Sequence, residues 1–211
     1  GECIIDFKNI SDTETKRFTI AVFYRGMLGK CNYSLGLQRL NNPQGATKIN
    51  FGQIVTNTIL KPSGIHSFLF DAGAGTHIFI PFAVTSGYFE PEIALYDLGG
   101  NKIPNELNTA GAFATTITSS GTYVIIIYGG AGTYTFHLQR LSDPGGAVEL
   151  KLNQAKTGTI SIPTVINAFK FNVESSAYLS IEFTRTSGTF HPFVEAYDSK
   201  LNQILYEETS I

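Results

Sequence analysis

The chain has 211 residues, a formal net charge of −2 and a sequence pI near 6.1, so it is long enough for one large β domain or two of about 100 residues. Charged residues make up only 15%, against roughly 25% in an average soluble domain, which excludes a nucleic-acid binder working through broad basic charge. Sixteen Phe, ten Tyr and 21 Gly, with no Trp and one Met, are the usage of an all-β protein rather than a helical one.

The N-terminus, Gly1-Glu2-Cys3-Ile4-Ile5-Asp6, lacks a basic stretch followed by an apolar one, so no signal peptide is expected and the chain reads as a mature or trimmed product. Cys3 and Cys31 are either a disulfide pair in an oxidising compartment or two unrelated buried thiols; their spacing is not that of a metal knuckle. Phe18–Tyr24 is the first strand-like run. Asn9-Ile10-Ser11 and Asn32-Tyr33-Ser34 are glycosylation sequons.

Farther along, His77–Val84 puts Ile78, Ile80, Phe82 and Val84 on one face, with Pro81 marking an edge strand or a bulge. Ile93–Tyr96 is a short strand closed by Asp97-Leu98-Gly99-Gly100. Phe113–Thr118 alternates, Thr122–Tyr128 is a continuously apolar central strand, and Thr133–Leu141 sets Tyr134, Phe136 and Leu138 against Thr135, His137 and Gln139. Tyr178–Phe183 repeats the pattern with Leu179, Ile181 and Phe183. The longest apolar run, Val124–Tyr128, is strand-length, far below the roughly 18 residues of a spanning helix.

The chain also repeats itself. Gly36-Leu37-Gln38-Arg39-Leu40 recurs as His137-Leu138-Gln139-Arg140-Leu141, an offset of 101. The same offset carries Pro43 and Ala46 to Pro144 and Ala147, Phe68-x-Phe70 to Phe169-x-Phe171, Thr85-Ser86-Gly87-x-Phe89-x-Pro91 to Thr186-Ser187-Gly188-x-Phe190-x-Pro192, and Tyr96-Asp97 to Tyr197-Asp198. Residues 47–110 and 148–211 share 20 identities in 64 ungapped positions, where chance gives about four. Phe18–Tyr24 resembles Tyr123–Tyr128 with a slip of about four residues, taken up in Arg25–Lys30. The expected organisation is therefore half, whole, half. Residues 1–46 are the second half of a β-sandwich repeat, 47–147 are a complete repeat, and 148–211 are the first half of another.

Three stretches resemble the bacterial pre-peptidase C-terminal domain family. They are Phe68-x-Phe70 with the strand to Val84, then Phe89-x-Pro91-x-Ile93-x-Leu95-Tyr96-Asp97-x-Gly99-Gly100, and Gly121–Ile125 with Gly132-Thr133-Tyr134-Thr135-Phe136-x-Leu138. The resemblance covers 47–147 and, through the repeat, most of both ends. It implies tandem jelly-roll-like antiparallel β-sandwiches, about two repeat equivalents of about 101 residues, non-catalytic, found beside secreted peptidases and on bacterial surfaces. It also implies relatives that bind collagen. Glu90-Pro91-Glu92 and His191-Pro192-Phe193 depart from the family's acidic residue beside the proline, so no calcium or ligand site is carried over.

Catalytic chemistry finds little footing. His66, His77, His137 and His191 are far apart in sequence, with neither HxH nor HExxH, and each reads as a solvated strand or loop histidine. No GxSxG elbow exists, and neither cysteine has an evident neighbouring base. Gly73-Ala74-Gly75 and Gly130-Ala131-Gly132 precede strands rather than helices and read as hairpin turns, not phosphate loops. Glu90 and Glu92 are paired acids whose counterparts, His191 and Phe193, are not acidic. Asp97 and Asp198 do match; turn capping is the first reading, with calcium ligation the weaker one and the sole cofactor candidate.

The expected function is a non-catalytic extracellular structural or adhesive β-sandwich repeat protein at the cell surface. It would polymerise head-to-tail into a filament as half repeats complement one another between subunits. The alternative is an accessory binding module, for collagen-like protein or carbohydrate, of a secreted bacterial peptidase. The expected partners are copies of itself or neighbouring repeats, or an extracellular matrix protein or polysaccharide, with no nucleic acid and no membrane span.

Overall fold

The computed structural model of the chain describes residues 17, 19–23, 32–87, 89–107, 111–174, 178–189, 193–200 and 202–208. All regular structure among them is β. Nine strands lie between residues 47 and 140: β1 (Thr47–Lys48), β2 (Gln53–Ile59), β3 (His66–Ala72), β4 (His77–Ser86), β5 (Glu92–Asp97), β6 (Lys102–Ile103), β7 (Ala112–Thr116), β8 (Gly121–Tyr128) and β9 (Gly132–Arg140). They form a five-stranded sheet, β1-β3-β8-β5-β6, and a four-stranded sheet, β2-β9-β4-β7. Every pairing is antiparallel except the two-residue β1–β3 contact. Four short strands follow: β10 (Val148–Glu149) pairs parallel with β11 (Phe169–Lys170), and β12 (Phe193–Tyr197) pairs antiparallel with β13 (Gln203–Glu208).

The period-two pattern of the sequence is the burial pattern of the sandwich. Phe68 and Phe70 on β3, Ile125 and Ile127 on β8, Ile78 and Ile80 on β4, and Tyr134, Phe136 and Leu138 on β9 all point between the sheets into one buried cluster. Phe68 meets Phe136 edge-on across the gap, ring centroids 5.1 Å apart, the arrangement aromatic quadrupoles prefer. Tyr134 is wholly buried and brings its hydroxyl 2.7 Å from His66 Nδ1, so its polar tip is satisfied within the core. Burial of this kind is worth roughly 1.5–3 kcal/mol for each large side chain.

Three expectations change. Pro81 is not on an edge: β4 lies between β9 and β7. The β4–β9 register runs through Ile78 and Phe79 and resumes at Phe82, so the ladder passes over the residue that has no N–H to donate. Gly73–Gly75 and Gly130–Gly132 are not hairpin turns, because the first links β3 to β4 and the second β8 to β9, strands of opposite sheets. At the second crossing a Cβ on Gly130 would run into Phe89 Cβ and one on Gly132 into the Phe89 ring, so glycine lets that side chain pack against the end of the core. Finally, Tyr178–Phe183 carries a strand's alternation but forms no strand, and neither do the described residues 19–23 of the Phe18–Tyr24 run. In the sandwich, the counterpart of 178–183 is β4, flanked by β7 and β9. Among the described residues, no strand pairs with 178–183.

Candidate functional site

The segments flanking the sandwich present apolar side chains that the sequence marks as core. Leu35 is 59% exposed, whereas its counterpart at offset 101, Phe136, is 0%. Phe169 is 40% exposed against 2% for Phe68, and Ile181 is 49% exposed against 0% for Ile80. Leu37, Tyr33 and Leu179 behave the same way. A shallow cleft of about 150 Å³ lies between Leu150–Gln154, Phe171 and Leu179–Glu182. At offset 101, Leu150, Phe171, Leu179 and Ile181 of this lining correspond to Ile49, Phe70, Ile78 and Ile80 of the sandwich core. The cause is geometric. In the sandwich, β8 joins β3 to β5 and β9 joins β2 to β4; among the described residues no strand joins β11 to β12, the counterparts of β3 and β5.

The C-terminal segment still copies the local geometry of the sandwich. Val148 pairs with Phe169 as Thr47 pairs with Phe68. Asp97 Oδ1 accepts from the Asn101 backbone N–H at 2.8 Å and Oδ2 from its side-chain amide at 2.9 Å. Asp198 and Asn202 make the same pair of bonds, both at 2.8 Å. Burial raises the Asp97 pKa, but the side-chain and backbone donors of Asn101 and the backbone donors of Gly99 and Gly100 outweigh it and hold the carboxyl below its ordinary value. The Asn202 donors lower Asp198 likewise. In both turns, then, the carboxylate serves the backbone of its own turn.

The other residues singled out in the sequence are dispersed. Glu92 accepts from the Tyr128 hydroxyl at 2.5 Å, while Glu90 lies exposed in the loop before β5. His77 Nδ1 is 3.0 Å from the Thr116 hydroxyl. His66, partly buried beside Tyr134, has its pKa lowered by desolvation. Cys3, Cys31, His191, the Arg25–Lys30 insertion and the Asn9 sequon lie outside the described residues. Among the described residues no group of three or more His, Cys, Asp or Glu side chains is placed to hold a metal ion, and no helix is long and apolar enough to cross a membrane.

His137 corrects the sequence reading of a solvated histidine. It lies on the face of β9 turned away from the core, yet it is only 4% exposed, and its neighbours Thr135 and Gln139 are buried as well. The cover is the segment 162–166. Thr135 and Thr164 hydroxyls meet at 3.3 Å, and the Ile166 backbone N–H donates to His137 Nδ1 at 3.3 Å. Desolvation lowers the His137 pKa, opposed by the carbonyls of Gly52 and Thr164. Alternation along a strand says which side chains leave the core; it does not say whether something else then covers them.

A scan against protein-family models finds no match, and a search of curated proteins finds none either. Among solved structures, the chain is similar to the pre-peptidase C-terminal domain of a collagenase from Bacillus anthracis, with 17% identity and a TM-score of 0.39 over 47% of this chain and 99% of that one. The likeness is one of fold. It is similar too to PliG, a periplasmic inhibitor of g-type lysozyme. The Salmonella Typhimurium protein has 16% identity and a TM-score of 0.35 over 45% of this chain and 98% of that one. The Aeromonas hydrophila protein has 12% identity and a TM-score of 0.34 over 44% and 97%.

Proposed function

We propose that the chain is a non-catalytic structural protein of the cell surface or extracellular space, built from tandem β-sandwich repeats. Residues 1–46 of one copy complete residues 148–211 of the next. One observation carries this reading: the repeat positions that are buried at Phe68, Ile80 and Phe136 are exposed at Phe169, Ile181 and Leu35. The two exposed sets are complementary. In the sandwich Phe136 stands against Phe68, and Leu35 would do the same for Phe169. Strand addition would supply main-chain hydrogen bonds along the open edges, with alternate side chains filling the space between the sheets. Contiguous exposed apolar patches mark interaction surfaces. Because the two surfaces differ, the contact is head-to-tail and propagates into a filament rather than closing as a dimer. Asp97 and Asp198 act as turn caps in this reading, not as cation ligands.

The test is concentration-dependent light scattering with negative-stain electron microscopy, repeated after adding a synthetic peptide of residues 17–40. Linear particles should lengthen with concentration, and the peptide should cap them by filling the C-terminal cleft. A particle that stays monomeric at high concentration and ignores the peptide would sink the proposal.

A further inference from the structure

The contact between β9 and residues 162–166 is not made once. At an offset of 101, the hydroxyls of Ser34 and Ser63 meet at 2.5 Å, just as those of Thr135 and Thr164 meet at 3.3 Å. The members of each pair are 29 residues apart. Gly36, the counterpart of His137, lies against Ser63 and Ile65, the counterparts of Thr164 and Ile166; a Cβ at Gly36 would overlap the Ser63 carbonyl. The turn between strand and loop recurs as well. Ala46 N–H donates to the Pro43 carbonyl at 3.3 Å and Ala147 N–H to that of Pro144 at 3.1 Å, with Gly45 and Gly146 both at φ 75°. The loop itself recurs: Gly64 N–H donates to Lys61 and Val165 N–H to Ile162, at 2.8 and 3.1 Å. Behind the loop, Ile49 N–H reaches the Leu69 carbonyl and Leu150 N–H that of Lys170, each at 2.8 Å.

We infer that residues 61–65 and 162–166 are one docking loop, and that in each repeat it seats on the outward face of the preceding repeat's last strand, fixing a single geometry between successive sandwiches. The inference rests on the repeat reading above and names the surface that orients its units. The two sites match in chemistry: a short hydroxyl residue, Ser34 or Thr135, stands opposite a short hydroxyl residue on the loop, buried at Thr135 on β9 and exposed at Ser34, in a run outside any strand. The position two residues on sets the spacing. Gly36 lets the loop backbone close directly onto the chain at that point, whereas His137 on β9 fills the gap and accepts the Ile166 N–H. Leu40 adds a second anchor at the first junction, packing with Ile65 and Leu69 against Ala94, Tyr96, Val124 and Ile126 on the outer face of the five-stranded sheet. Both junctions lie within one chain, so the two open halves are aimed before any second copy arrives.

Cysteine cross-linking tests this in the full chain, diluted until light scattering reads a monomer, in a background with Cys3→Ser and Cys31→Ser. Under a mild thiol oxidant, Ser34→Cys/Ser63→Cys and Thr135→Cys/Thr164→Cys should each close within one chain. The crossed pair Ser34→Cys/Thr164→Cys should stay open. A matched pair that stays open, or a crossed pair that closes within one chain, overturns the inference even if filaments form. Conversely, both matched pairs closing in a chain that never polymerises would leave the junction standing while assembly fails. Hydrogen exchange on the unsubstituted chain reads the second junction independently: the Ile166 amide should exchange more slowly than those of 155–160, and equal rates would overturn it.

Discussion

Residues 47–140 and the segments on either side of them are written in the same sequence language and reach different states. Phe68 and Phe169 share a Phe two residues on and the same parallel contact with the strand before them, yet one is buried and the other exposed. The difference lies in two strands. β8 and β9 occupy central places in their sheets, and each holds two neighbours together. Where both are present, each of their ladders pairs six or seven residues and the core closes. In the C-terminal segment, among the described residues, the Asp–Asn turn forms, because Asp198 needs only Asn202, while the counterparts of β2, β3 and β4 form no strand longer than two residues. Local chemistry builds turns; ladders need a partner.

The comparison breaks most sharply if the two flanking segments are joined. A circular permutant that begins at residue 47 and carries residues 1–46 after Ile211 through a flexible linker should gain a second cooperative unfolding transition, on the order of 5–15 kcal/mol in stability. Leu179, Ile181 and Phe183 should then become buried, and the permutant should stay monomeric where the parent chain assembles. Calorimetry and light scattering check both. Next in size is the central core pair. Phe136→Ala removes a fully buried ring that meets Phe68 and should cost about 3–5 kcal/mol. Its counterpart Leu35→Ala should move the thermal transition of a dilute monomer by less than about 0.5 kcal/mol, yet shorten the filaments. Equal effects in the two variants would erase the distinction between the regions.

Much of this was legible in the residues. The strands from His77, Thr122 and Thr133 are near where alternation puts them, because alternation records which side chains leave water, and in a sandwich that is the fold. The offset of 101 recurs in hydrogen bonds down to the Asp–Asn turns. Tyr178–Phe183 shows where this legibility ends. Leu179, Ile181 and Phe183 are patterned for a core whose other wall is a different segment, and a pattern carries no information on whether that wall is present. His137 fails for the complementary reason. Its cover, Thr164 and Ile166, lies 27 and 29 residues away, and nothing in Pro163-Thr164-Val165-Ile166 marks a lid. Gly73–Gly75 and Gly130–Gly132 show a third limit, since glycine-rich turns serve hairpins and sheet-to-sheet crossings equally.

A smaller effect separates the turns. Asp97→Ala removes two hydrogen bonds that close the β5–β6 turn of a folded sandwich and should cost about 1 kcal/mol. Asp198→Ala removes the same two bonds where no core depends on them, and the main transition should stay in place. Since the Asp97 carboxyl is held below its ordinary value, its stabilisation is present above about pH 4 and is lost as pH falls through the lowered folded value. Chemical denaturation of the two variants at neutral pH and below pH 4 measures both the difference and its direction.

The smallest effect is a difference between the two junctions in mild acid. His137 is neutral where it lies, its Nδ1 occupied as an acceptor and its pKa lowered by burial. As pH falls the unfolded or undocked chain takes a proton near the ordinary value of about 6.5, before the docked state does. The second junction is therefore fully stable above about pH 6.5 and weakens as pH falls below it, levelling off beneath the lowered value. Gly36 has nothing to titrate, so the first junction should not share this slope. His66, lowered in the same direction, tilts the sandwich itself; the comparison must therefore be local, not a melting curve. Closure rates of Thr135→Cys/Thr164→Cys and Ser34→Cys/Ser63→Cys, corrected for thiolate fraction and followed from about pH 7.5 to about pH 5, should diverge, with the histidine junction falling further. His137→Gln, uncharged throughout that range, should bring the two profiles back into line. Parallel profiles in the unsubstituted chain would mean that the imidazole is not what separates the two junctions.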